Sequence, residues 1–597
     1  MKGSANESLP LARVFPFMAW LPAVDGSTLR SDLVAGFTGA ILGLPQGVAF
    51  ALLAGLPPQY GLYAAMIPPA LSSLFGSSRQ MIAGPTNAVA ILLFASLGHL
   101  AAPGSADYIR FVLTVTFLVG VFEFAMGVAR LGTVVNFISH TVIVGFGTGA
   151  AILIATQQLK SFFGIALPAD ASFVQTLRQT ALAIGQLNPW ATGVGVATVV
   201  SGILARRYLK KIPFMITATV VGSLVAAALS AWFGPEVTRI ATVGALPTAL
   251  PPLTVPDLSV ETLTKVAPTA LATTILALTL GVSIGRTLAI RTGQRIDANQ
   301  EFIGQGLSNL VGAFFSSYPS AGSINRSGAN YEAGAKTPLA SVFSSIFLVG
   351  IVLLVAPLAA YLPLATMAGI LFLIAYGLID VRRMRAICRT SRSEASVMIV
   401  TLLAALLLGL QTAIYAGVLL SLMLFLNQAA RPGIRDVKPL FRGDGHFRFD
   451  ADSELPDCPQ LKMLRVNGSI FFGAVEHVET AFHAVDRANP GQKRLLIAAS
   501  GINVVDISGA EFLSREAQRR EKMGGGLYFW FMKDAVLALL RQGGYLKSIR
   551  EERIFDPSVD PIAKIYPQLD SEVCRACKAR IFPQCRVALP SGEPRAG

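Results

Sequence analysis

Ser316-Ser317-Tyr318-Pro319-Ser320-Ala321-Gly322, followed by Ser323-Ile324-Asn325-Arg326-Ser327, is a Gly/Ser/Pro-rich break that opens a membrane helix with a fixed positive charge. An arginine at that depth is costly unless it faces a protein cavity, a counter-charge or an anion. Upstream, Ala83-Gly84-Pro85-Thr86-Asn87 precedes another short apolar run, Ala88 to Leu97. Interrupted segments in corresponding places of two halves mark a midplane substrate site, and helix N-termini converging there would present backbone N–H groups to an anion. The pattern predicts a polytopic helical membrane protein with an anion site at its centre.

Composition places most of the chain in lipid. Of 597 residues, 53% are hydrophobic and 14% charged, and the mean hydropathy is +0.57, far from the average of soluble domains. The net charge of +14 falls largely in short loops between apolar runs, as the positive-inside rule expects. No basic stripe with interleaved aromatics accompanies it, which argues against nucleic-acid binding. Met1 to Arg30 holds scattered prolines and no compact apolar core with a cleavage site, so the amino terminus is expected in the cytosol.

Allowing about 17 to 25 residues per span, apolar segments lie near 31–54, 60–76, 107–129, 133–157, 188–207, 214–233, 263–290, 299–317, 338–356, 361–379, 393–409 and 412–428. The short runs after Gly84 and Gly322 bring the expectation to roughly fourteen. Counting from a cytosolic start puts Arg206, Arg207, Lys210 and Lys211 inside, then Arg286, Arg291 and Arg295, then Arg382, Arg383, Arg385, Arg389 and Arg392. The loops assigned outside, His99 to Asp107 and Gly234 to Val260, are poor in Lys and Arg. Seven spans per half is an odd number, so a second half resembling the first must enter from the opposite side, an inverted repeat. The Gly84 break falls about 53 residues after the first span begins, and the Gly322 break a similar distance after the eighth.

Five stretches carry a more specific resemblance. Asp32 to Gly36 (DLVAG), Leu44 to Pro58 (LPQGVAFALLAGLPP), Tyr60 to Tyr63 (YGLY), Asp297 to Glu301 (DANQE) and above all Gly322 to Thr337 (GSINRSGANYEAGAKT) resemble the sulfate permease (SulP) anion-transporter family, which includes plant sulfate transporters and prestin-type exchangers. The resemblance runs from about Phe15 to about Gln542. It implies a core domain of spans 1–4 and 8–11 that carries the anion past a gate domain of spans 5–7 and 12–14, commonly within a homodimer. Carried over by position, it implies that Gln46 and Phe50 line the pocket, that Thr86 and Asn87 open half-helix 3, and that Ser323 and Arg326 open half-helix 10. Amide and hydroxyl groups supply neutral donors, and two helix N-termini supply partial positive charge. Bland readings stand beside these: Arg326 paired with a carboxylate of a neighbouring helix, Gln46 as interhelical hydrogen-bonding glue, and Phe50 as packing.

One departure concerns coupling. Plant sulfate transporters and many bacterial relatives carry an acid three positions before the motif that appears here as Ser283-Ile284-Gly285-Arg286, and here that position is Leu280. A buried carboxylate is the usual holder of a coupling proton or sodium. Glu123, an intramembrane acid of the first half, is the candidate substitute, with pairing to Arg130 as its structural alternative.

The chain is expected to divide into a cytosolic segment 1–30, a transport domain 31–428, a linker 429–450 and a cytosolic domain 451–597. The last alternates strand-like (Leu461 to Phe472, Arg494 to Ala499, Gly526 to Phe531) and helical patterns (from near Ser508, and Lys533 to Gln542). That order resembles the α/β STAS domain of anti-sigma-factor antagonists, and Val504 to Gly509 (VVDISG) matches the motif whose serine they phosphorylate. Ser508 is therefore a possible regulatory site or simply a helix N-cap, and the domain a possible contact for a cytosolic protein. Cys574-x-x-Cys577 followed by Cys585 has metal-ligand spacing, and Cys458 would complete a four-thiolate zinc site; a reduced, metal-free tail is the alternative, disulfides being disfavoured in the cytosol.

These features predict secondary transport of a small inorganic anion across the inner or plasma membrane, sulfate first and bicarbonate next. The alternatives are a gated anion channel or chloride/dicarboxylate exchanger, and a uracil/xanthine-type permease of the same implied architecture. No nucleotide loop and no His/Cys/carboxylate constellation in the membrane half points to an enzyme or a firm cofactor.

Overall fold

The computed structural model describes residues 15–133, 139–166, 173–209, 214–244, 250–359, 361–441, 447–450 and 454–594. They form two compact units, Met1–Leu422 and Met423–Gly597.

Helices lie on each predicted span and half-helix. In order they are α1 (Gly26–Leu53), α2 (Pro58–Phe75), α3 (Asn87–Leu97), α4 (Ala106–Val128), α5 (His140–Phe163), α6 (Pro189–Tyr208) and α7 (Phe214–Phe233). The second series is α8 (Val260–Thr292), α9 (Ala298–Phe314), α10 (Ile324–Glu332), α11 (Leu339–Ala359), α12 (Leu364–Leu378), α13 (Arg392–Leu407) and α14 (Leu410–Ala429). By length and composition, 7 helices among the described residues can cross a membrane. The segment expected at 133–157 is helical later, because Ser139 caps α5 through the Thr141 N–H and Gly164, at φ 63°, turns the chain out of it. Residues 134–138, Lys210 and Lys211 lie outside the described residues. The arginines expected inside near 382–389 sit on a separate amphipathic helix, Val381–Thr390.

The helices sort into two groups by packing. α1 packs on α2 and α11, α9 on α2 and α4, and α8 on α3 and α4, while α5, α6 and α7 pack with α12 and α13. The first group is the core and the second the gate. Their glycine-rich motifs are close-approach devices: a methyl at Gly61 would lie 1.9 Å from the Gly47 carbonyl oxygen, so α1 and α2 touch backbone to backbone there. The charged motifs tie loops. Buried Asp32 accepts from the N–H groups of Lys336 (2.7 Å) and Thr337 (3.1 Å) and from the Thr337 hydroxyl. Asp297 caps α9, and buried Glu301 accepts from the N–H (2.8 Å) and hydroxyl (2.9 Å) of Ser77.

The second unit holds a five-stranded sheet in the order β3-β6-β7-β8-β9, with β3 (Gly433–Asp436) antiparallel to β6 (Leu461–Asn467) and β7 (Arg494–Ala498), β8 (Gly526–Trp530) and β9 (Ile554–Phe555) parallel. A hairpin of β4 (Lys438–Phe441) and β5 (Phe447–Asp450) lies beside it in sequence. The expected strand at 461–472 stops at Asn467 because Gly468, at φ 139°, breaks it. Side chains alternate across the sheet: Leu464, Leu495, Ile497 and Phe529 pack under α15 (Val475–Ala488), α16 (Ile507–Lys522) and α17 (Asp534–Gln542). Met463, Leu496, Tyr528 and Trp530 face the other way, against Ile562, Ile565, Leu569 and Phe582 of the carboxy-terminal tail. Each unit thus closes its own apolar core. Deleting the residues after Val437 is expected to leave a monodisperse membrane unit on size-exclusion chromatography; aggregation of that truncation in every detergent tried would show that the membrane core is incomplete without them.

Candidate functional site

The two helix breaks meet. β1 (Ala83–Gly84) and β2 (Ala321–Gly322) pair antiparallel, Ala83 opposite Gly322 and Gly84 opposite Ala321, so α3 and α10 start from one two-residue ladder. An antiparallel meeting of equivalent segments is what an inverted repeat produces at its axis. Side chains of α10 stitch this junction. Ser327 Oγ accepts from the Ile82 N–H at 2.9 Å, the Ser323 N–H donates to the Ile82 carbonyl at 2.9 Å, and the Asn330 amide donates to the Gln80 carbonyl at 3.0 Å.

Arg326 belongs to this inward face. It is fully buried, and Nη2 lies 3.4 Å from the Ser344 hydroxyl of α11, while Nε and Nη1 make no hydrogen bond. Gly84 leaves it room: a methyl there would stand 2.6 Å from Nη1. Among the described residues no carboxylate pairs with it, so the ion-paired reading of Arg326 does not describe the structure. Its charge is buried against glycine, serine and helix backbone.

The opposite face of α10 lines a cavity of about 310 Å³, through Ile324, Asn325, Gly328, Ala329 and Glu332. Across it stand Leu42 and Gln46 of α1 and Phe214 and Met215 of α7, so the cavity lies where core meets gate. Gln46 donates from Nε2 to the Met215 sulfur at 3.5 Å, and its Oε1 is unpartnered. Of the six residues expected at the pocket, Gln46 lines the cavity. Arg326 does not; it sits behind α10. Ser323 occupies the α10 N-cap without a side-chain capping bond, and Thr86 caps α3 by accepting from the Val89 N–H at 3.4 Å. Asn87 accepts from the Ala88 N–H at 2.9 Å, and Phe50 is buried in the core, which supports its packing reading. Asn325 lines the cavity without any mark in the sequence, being one polar residue among several. A larger hollow of about 540 Å³ between α6, α7 and α12 is apolar except for Arg206, Arg207 and Tyr376, and holds neither half-helix start.

Glu123, fully buried on α4, accepts from the Asn309 amide at 2.8 Å rather than pairing with Arg130, and its Oε1 is unpartnered. Asn309 in turn accepts from the Ser320 N–H at 2.8 Å and donates to the Ser320 carbonyl at 3.1 Å, one residue before β2. Leu280 is half-buried beside Met81 and Ile284. In the second unit the N-cap of α16 is Asp506, which accepts from the Gly509 N–H at 2.8 Å; Ser508 lies exposed inside the first turn, and this corrects its expected capping role. Asp506 and Ser508 are both good caps, and two residues decide between them only in three dimensions.

Comparison with known proteins agrees with this architecture. Residues 29–401 match the model of the sulfate permease family, and residues 453–562 that of the STAS domain. The probable sulfate transporter 3.5 of Arabidopsis thaliana is 29% identical over 83% of this chain and 80% of its own, and sulfate transporter 1.2 of the same plant is 27% identical over 95% and 89%. The fold superposes on the murine Solute Carrier 26 family member A9 anion transporter in its inward-facing state with a TM-score of 0.82 at 23% identity, covering 95% of this chain and 96% of that one. The transmembrane domain of a cyanobacterium bicarbonate transporter, BicA, gives 0.57 at 26% identity, covering 67% and 98%. The family model spans most of the membrane unit, and its members are membrane anion transporters, not enzymes. This chain belongs to the sulfate permease family and carries a STAS domain after its membrane unit.

Proposed function

We propose that the protein moves sulfate, with bicarbonate as the next choice, through the cavity between α1, α10 and α7 by an elevator-like movement of the core past the gate. The observation that carries this reading is a buried, unpaired Arg326 set directly behind a half-helix whose other face opens on the cavity. An anion held at the start of α10 gains from its orphan N–H groups and macrodipole, from the amides of Gln46 and Asn325, and from the guanidinium through one helix thickness. Glu332, at the far end of α10, repels it from that end and so favours the N-terminal position. Sulfate is placed first because the plant relatives are named as sulfate transporters.

The remaining assignments follow the same reading: Thr86, Asn87 and Ser323 shape the junction, Phe50 packs in the membrane core, Glu123 is the coupling position, the protein is a homodimer of the inner or plasma membrane with both termini cytoplasmic, and the STAS domain receives a cytosolic partner. Ser508, exposed in the first turn of α16, is the place where a phosphate would meet a helix N-terminus. Leu280 favours a second reading, uncoupled channel-like flux, which non-saturating uptake would support.

Gln46→Leu keeps the volume and removes the donor. A net hydrogen bond of about 1 kcal/mol predicts roughly fivefold weaker half-saturation in sulfate uptake by proteoliposomes, with the maximal rate retained. An unchanged saturation curve for sulfate, bicarbonate and chloride alike would remove the anion from this cavity.

A further inference from the structure

The carboxy-terminal tail brings its cysteines to one place. α18 (Ser571–Ala576) carries Cys574, Cys577 follows at its C-cap, and α19 (Gln584–Val587) carries Cys585. These three and Cys458, which precedes β6, line a single cavity of about 10 Å³ together with Leu569, Phe582 and Arg580. Such a hollow holds one water or one small ion, and it offers a water few polar partners besides sulfur. No disulfide joins any of the cysteines.

N–H donors are aimed at these sulfurs. Burial pushes the Cys458 thiol up to about 11, with the backbone N–H groups of Gln460 and Leu461 opposing the shift, and Gln460 Nε2 lies 3.3 Å from the Cys574 sulfur. A thiol is a weak acceptor, whereas a thiolate uses such donors fully. The turn Cys458-Pro459-Gln460-Leu461, folded so that successive amides point back at the cysteine sulfur, is a geometry suited to a metal-bound thiolate, whose outer-shell hydrogen bonds offset its charge. While Arg575 pairs with Glu572 and Glu593, other basic residues stand in the same segment, Lys578, Arg580 and Arg586. They would balance the net negative charge of a divalent ion with four thiolates.

We propose that Cys458, Cys574, Cys577 and Cys585 form a structural zinc site that fastens the tail to the sheet. Among the described residues no three ligand-type side chains stand as a ready metal set; a change of χ1 rotamer moves a cysteine sulfur by roughly 3 Å, and all four already border the same hollow. Four sulfur donors with no Asp, Glu or His beside them select a soft tetrahedral ion. The staple joins Cys458, just before β6, to the tail whose Ile562, Ile565 and Phe582 cover one face, so metal binding holds that cover in place.

The test uses the full chain, purified under reducing conditions without chelator. Elemental analysis is expected to find roughly one zinc per chain in the wild type and in Cys388→Ser, and less than about a fifth of that in Cys577→Ser and Cys585→Ser. To keep the test independent of whether a serine variant folds its tail, cobalt is also loaded into the wild type. An intense tetrahedral d–d spectrum with thiolate-to-cobalt charge transfer is expected, and stripping the metal should open Arg575 and Lys578 to trypsin. Wild-type protein that takes up no stoichiometric zinc when supplied with it, a pale octahedral cobalt spectrum, iron–sulfur absorption, or disulfides among these four cysteines in the reduced preparation would each overturn the site.

Discussion

Replacing Arg326 with alanine is expected to raise the anion concentration for half-maximal uptake at least tenfold, with lysine recovering part of the loss. The guanidinium is fully buried, and its Nε and Nη1 are unpartnered, so none of its field is neutralised by a carboxylate. Across the width of one helix, about 10 Å, a unit charge at an effective dielectric of about 20 is worth roughly 1.7 kcal/mol to an anion. That is roughly a factor of 17 in affinity. Lysine keeps the charge and loses the planar fork, whose Nη2 lies by Ser344 and whose Nη1 fills the space that Gly84 leaves. Gly84→Ala supplies an independent check. Its methyl would stand 2.6 Å from Nη1 and must displace the guanidinium without changing any charge, so a similar direction of effect with a smaller size is expected. Radiolabelled uptake over a concentration series measures both variants. A monodisperse Arg326→Ala protein with a wild-type saturation curve would show that the charge does not act on the transported anion.

Much of this architecture is legible in the sequence because each half-helix announces itself twice, by a Gly/Pro/Ser break and by a polar residue where an apolar run starts. The face that α10 turns to the cavity is not legible. Hydropathy would bury Ile324 and expose Arg326, and the structure does the reverse: Ile324 is 67% exposed and Arg326 is 0%. Nine residues are too few turns for periodicity to decide orientation, and the deciding contacts come from Ile82, Gln80 and Ser344, on other segments. Glu123 shows the same limit. Arg130 is its neighbour along the chain, but its partner is Asn309, 186 residues away, reached only because α4 packs along α9. The DANQE motif was readable as a family mark, while its physical use as a clasp on Ser77 needed the fold. The cysteines were legible as a spacing, and only the fold brings Cys458 to the other three.

Glu123→Gln is expected to abolish any stimulation of uptake by a proton or sodium gradient while leaving anion-for-anion exchange intact. With leucine at position 280, a coupling ion needs a buried carboxylate from another position. Glu123 is fully buried and tied to Asn309, with one oxygen unpartnered and therefore able to take a proton or a cation. Asn309 bonds Ser320 from both sides of its amide, and Ser320 leads directly into β2 and α10. Glu123 is thus linked to the segment leading into α10 through two hydrogen-bonded residues. The substitution is close to isosteric: a glutamine oxygen still accepts from Asn309, so the junction should persist and only the titratable group is lost. Leu280→Glu places a carboxylate beside Met81 and Ile284 and is expected to add pH dependence even in the Glu123→Gln background. The two variants are read by accumulation ratios in vesicles with pH and sodium gradients imposed separately. Gradient-driven accumulation that survives in Glu123→Gln would place coupling at another group and leave Glu123 as a buried structural acid held by Asn309.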